Sequence, residues 1–108
     1  MSWPTIGVTT LIDAMVQAEG GPEAMVRAVR ISIPSCKDYK EARVIALNTI
    51  CHALWDYVGG GYAPGFDAFV QFLGARWAPI GVANDPTDLN RNWVPNVLAY
   101  LHTHGALA

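Results

Sequence analysis

"KDYKEARVIALNTICHALWDYVGG", residues 37–60, decides the fold class. Asp38 stands three residues before Glu41, the spacing of a helix capping box. No proline or glycine then occurs between Tyr39 and Val58. Val44, Leu47, Cys51, Leu54 and Val58 fall at alternating intervals of three and four, the period of one helix face. Ile50, Trp55 and Tyr57 widen the apolar surface. A long central helix from Asp38 to about Val58 is expected, with Leu47 and Leu54 turned inward. Their companions in the expected core are Phe69, Leu73, Val97 and Leu101.

Outward from this helix the punctuation stays helical. Thr10 and Asp13 repeat the capping-box spacing ahead of Leu11, Met15 and Ala18, so a first helix begins at Thr10. Gly20-Gly21 ends it, and Pro22 suits the first turn of a second helix, "PEAMVRAVR" (22–30), with Met25, Val26 and Val29 on one side. "ISIPS" (31–35) breaks that helix, because Pro34 disfavours a helical Ile33. Beyond the central helix, "GGGYAPG" (59–65) is a turn, and Phe66, Phe69, Leu73 and Trp77 mark a fourth helix. The loop "APIGVANDPTDLNRN" (78–92) leads to a last helix carrying Trp93, Val97 and Leu101. No alternating stretch is long enough for a sheet. The expectation is all-α: one domain over 1–108 with its core in 10–103, five helices packed around the third.

Composition bounds the partners. A chain of 108 residues suits one core, and 52% hydrophobic against 15% charged residues favours a folded body over a disordered one. The net charge is -2 and the seven basic residues are scattered, which argues against a nucleic-acid surface. Cys36 and Cys51 match no zinc spacing, and His102 and His104, two apart, point in different directions on a helix. We expect Cys51 buried and Cys36 partly exposed. The start "MSWPTIGVTT" has neither a basic region nor a long apolar run, and no stretch reaches membrane-span length. Synthesis in the cytoplasm without a signal peptide is expected, with virion association or release to the periplasm depending on other factors.

Two places carry candidate chemistry. Glu19 sits at a helix end against two glycines. A carboxyl protonates a glycosidic oxygen near neutral pH only if its surroundings raise its pKa, and a helix C-terminus pushes that way. The plain alternative is a solvated helix end that the glycines stop. The second place is "RWAPIGVANDPTDLNRNWVPNV" (76–97), two tryptophans around a loop rich in Asn and Asp. Asp85, Asp88 and Asn92 have a ready role capping loop backbone. A saccharide shelf, with Trp stacking on sugar and Asn or Asp bonding hydroxyls, is the functional reading. A calcium loop through Asp85, Asp88, Asn90 and Asn92 ranks last, because the EF-hand spacing and its glycine are missing.

The pairing of "LIDAMVQAEGG" (11–21) with "FVQFLGARWAPIGVANDPTDLNRNWVPNV" (69–97) resembles small phage- and prophage-encoded proteins of the lysozyme-like superfamily. The resemblance covers about residues 10–20 and 66–97. It implies that Glu19 is the acid of a muramidase or lytic transglycosylase. Trp77, Ala78, Pro79, Asn84 and Asp85 fall on a loop lining one side of the cleft, so Trp77, Asn84 and Asp85, with Tyr62 from the glycine turn, become substrate-binding candidates. Peptidoglycan glycan strands would be the substrate, with no cofactor and no metal. The family's asparagine-rich stretch and small hairpin are missing: "RISIPSCKDYKEARVIALNTICHALWDYV" (30–58) reads as helix instead. A second carboxylate is therefore not identifiable, which points to one-acid chemistry, since a hydrolase needs a partner at a defined separation.

The remaining polar residues have plain readings. His52 is a boundary histidine, because neighbouring helix positions do not face each other and Cys51 cannot pair with it. Arg27 and Arg30 either face water or meet an anionic glycan peptide. The rival to the enzyme is a non-enzymatic phage virion or tail module, or a glycan-binding one, which would show an exposed apolar patch and assemble with other phage structural proteins.

Overall fold

A computed structural model of the chain describes residues 7–62, 65–77 and 89–104. Helix α1 spans Val8–Glu19, α2 Pro22–Ser32, α3 Tyr39–Gly59, α4 Phe66–Trp77 and α5 Trp93–Thr103, with one 3-10 turn over Leu89–Asn92 ahead of α5. No strand occurs among the described residues. The fold is all-α, with five helices in one compact body.

The joints follow from local chemistry. Gly20 closes α1 in the left-handed conformation (φ 104°), its N–H bonding Gln17 O while Gly21 N–H bonds Val16 O. This pair of bonds is a Schellman ending, which only a residue tolerant of positive φ completes without strain. Gly21, at φ 116°, starts α2, and Pro22 fills the first turn, where no N–H is missed. Asp38 caps α3 by accepting from Glu41 N–H at 2.9 Å, as its spacing predicts. The connection from α2 to α3 is tied down by Arg30, which donates to Cys36 O at 2.8 Å and Lys37 O at 3.0 Å.

One cluster forms the core. Leu11, Ile12, Ala14, Met15 and Val16 of α1 meet Phe69, Val70 and Leu73 of α4, Trp93, Val97 and Leu101 of α5, and Met25 and Val29 of α2. Phe69, Leu73, Val97 and Leu101 are buried as expected. The central element, however, is α1, which packs most extensively on α5 and also touches α2 and α3. The third helix packs on α4, α2 and, less extensively, α1.

Its register corrects the sequence reading. The buried face of α3 is Ala42, Ala46, Ile50, Ala53 and Tyr57, whereas Leu47 and Leu54 are 37% and 40% exposed. Apolar residues surround most of this helix, so period alone does not choose the inward side. The alanines do: small side chains let α3 approach its neighbours closely, and the larger residues are left outside. The same rotation exposes Cys51 beside Leu54, and Cys36, in the α2–α3 connection, is buried, so both cysteines differ from the sequence reading. The start of α1 also differs. The helix begins at Val8 after Gly7, and Asp13 accepts from Arg43 at 2.9 Å rather than closing a box with Thr10.

Candidate functional site

The end of α1, the end of α4 and the start of α5 converge on Glu19. The double-glycine ending makes Glu19 the last residue of α1, so its side chain leaves the helix at the corner. Trp77, the last residue of α4, donates its indole N–H to Glu19 Oε1 at 3.1 Å. Trp93, the first residue of α5, is 3% exposed; its indole nitrogen is buried without a hydrogen-bond partner, yet close enough to the same carboxyl to favour its ionised form. One indole N–H thus bonds the carboxyl, and a second indole, from another helix, acts on it more weakly.

Opposing forces act on that carboxyl. Burial raises its pKa above the ordinary glutamate range, while the Trp77 bond and, less strongly, Trp93 pull it down. Burial is the larger effect, so Glu19 stays protonated to higher pH than a surface glutamate. The carbonyl end of α1 acts in the same direction as burial.

Gly74 makes room for this arrangement. A Cβ placed there would lie 2.6 Å from Val94 Cγ2 and 3.1 Å from Trp93 Cε3. The glycine inside α4 therefore lets the Trp93 ring lie flush against that helix. Sequence reading placed Trp93 in the last helix and missed its part at Glu19. The available signal was Gly74, a glycine in a helix interior ahead of a tryptophan, which marks a close approach.

Beside Trp77 lies a pocket of about 180 Å³ between α2, α3 and α4. Val29, Ser32, Ile45, Thr49, Arg76 and Trp77 line it. It is smaller than the roughly 300–1,000 Å³ of an ordinary ligand pocket, enough for one small group rather than a chain of sugars. Glu19 is outside its lining, and Trp77 is the residue shared between the pocket and the carboxyl. Arg76, at its edge, is held by Asp56 at 2.7 Å and lies over the Phe72 ring.

The other candidates are placed as follows. Tyr62 stacks on Tyr57 (centroids 5.0 Å apart) and leans on Phe72, with 55% of its surface exposed. Its ring covers the outer edge of the core. Asn84 and Asp85 lie outside the described residues, as do Ala78, Pro79 and Asp88, so the readings of saccharide shelf and calcium site rest on sequence, as does a cap by Asp85 or Asp88, whereas Asn92, at the N-cap of α5, makes no side-chain cap hydrogen bond. Arg30 is spent on the backbone of the α2–α3 connection, while Arg27 borders a shallow depression beside Tyr39. Among the described residues no three His, Cys, Asp or Glu side chains gather as a metal site, and no helix is long and apolar enough to cross a membrane. Compared with known proteins, the chain matches no family model, no curated protein and no solved structure.

Proposed function

We propose that the chain cleaves the sugar backbone of peptidoglycan by one-acid chemistry of the lytic-transglycosylase type, with Glu19 as acid and then base. The observation that carries this is the carboxyl at the end of α1, shielded by two indoles and raised in pKa by burial. An acid of this kind keeps its proton into the range where a glycosidic oxygen needs it. Glu19 passes that proton to the leaving oxygen. The carboxylate left behind accepts the proton of the substrate's own hydroxyl as that hydroxyl attacks the anomeric carbon, so no activated water and no second carboxylate are required. Trp77 holds the carboxyl in place and offers a ring edge to the adjacent pocket. The substrate class comes from the resemblance of residues 11–21 and 69–97 to lysozyme-like phage proteins.

The test is release of muropeptides with anhydro-sugar ends from purified peptidoglycan. Wild type should release them, and Glu19→Gln, nearly isosteric, should keep its melting transition and release none. Equal release by both proteins would remove Glu19 from the chemistry. No release by folded wild type would favour the second reading, an assembly module of phage type, which the exposed apolar side of α3 supports on its own.

A further inference from the structure

We infer that the outer side of α3 is a docking surface for a second copy of this chain, two α3 helices packing antiparallel about a two-fold axis near Cys51. Val44, Leu47, Cys51, Leu54 and Val58 are all exposed, and they repeat every three and four residues, the spacing of a coiled-coil seam. Trp55 widens the stripe and is 81% exposed, more than any other large apolar side chain among the described residues. Cys51, Leu54, Trp55, Val58 and Gly59 border an open apolar depression of about 440 Å³, into which side chains of a facing helix fit.

Three features select a second copy over another occupant. The stripe is self-complementary when reversed, because Val44 and Val58 lie seven residues on either side of Cys51. A two-fold contact uses the same patch on both partners, which such a stripe satisfies without further design. The charges agree with the antiparallel sense: Lys40, exposed at the start of α3, would fall opposite the far end of the mate's α3, whereas a parallel pair would set Lys40 against Lys40. The area reaches the threshold. The exposed parts of these residues come to at most roughly 600 Å² per protomer, or about 1,200 Å² in all, which is the lower edge of a specific dimer interface. None of this rests on Glu19, and Glu19→Gln should dimerise like wild type.

Sedimentation of the full chain from about 5 to about 200 μM should show the mass rising from 11.7 kDa towards twice that value. Leu54→Glu with Val58→Glu should hold the protein monomeric throughout, with unchanged helical circular dichroism, since both positions face solvent in the single chain. Cys51 gives an independent measure. A short bis-maleimide should join two wild-type chains through Cys51, while Cys51→Ser, which keeps the buried Cys36, should not cross-link. Orientation is read in a Cys51→Ser background, where Val44→Cys mixed with Val58→Cys should cross-link and neither should do so alone. A monomer at the highest concentration, or a dimer indifferent to the two glutamates, would overturn the inference. Cross-linking of either single variant by itself would overturn the antiparallel arrangement.

Discussion

Glu19 is a weak point for stability and, for the same reason, a chemically poised group. Its pKa is raised in the folded protein, chiefly by burial, so the folded state holds this proton more tightly than the unfolded chain does. Stability from that proton is fullest below the ordinary glutamate value of about 4.3 and falls as pH rises through the interval up to the folded pKa. Glu19→Gln cannot ionise. The melting temperature of the Gln variant relative to wild type should therefore climb as pH rises above about 4.3, and a flat difference would refute the raised pKa. Trp77→Phe keeps the ring and removes the N–H, which should cost about 0.5–1.5 kcal/mol and push the Glu19 pKa higher still, as NMR titration would report. Gly74→Ala is a second sensitive site. Its methyl would press on Val94 and Trp93, costing about 1–3 kcal/mol in denaturant unfolding if the rings cannot retreat.

At the scale of elements, helix ends and helix faces differ in how well local chemistry declares them. Asp38 and Gly20-Gly21 act through neighbours three or four residues away, so the sequence shows their work directly. Asp38→Ala should accordingly cost about 1 kcal/mol by chemical denaturation. Thr10 and Asp13 have the same spacing as Asp38 and Glu41, but Asp13 goes to Arg43, thirty residues on, and no local signal reveals that choice. The face of α3 was also hidden. Its large apolar residues mark one side and its alanines the other, and only the partners of the helix decide between leucine and close approach. The candidate site divides the same way: Glu19 is legible from its glycines, whereas Trp93 meets it only through the packing of α5 on α1 and α4.

For the whole molecule, the rotation of α3 changes where stability resides. Leu101, fully buried in α5, should cost about 2–5 kcal/mol on truncation to alanine. Leu54→Ala, measured on dilute protein, should stay within about 0.5 kcal/mol because its side chain already meets water. Urea titrations of the two variants compare them directly. A large loss at Leu54 in dilute protein would restore the inward register that period alone suggests.

The corner at Gly20 has a handedness that can be put to use. At φ 104° an L-residue is strained, whereas its mirror image finds that same angle comfortable. The position is exposed. A chain assembled chemically with D-alanine at 20 should melt above wild type, because the unfolded chain loses freedom that the folded corner never used. L-alanine at the same position should melt below it. Two molecules of identical composition, differing at one stereocentre, would thus bracket the natural protein from either side.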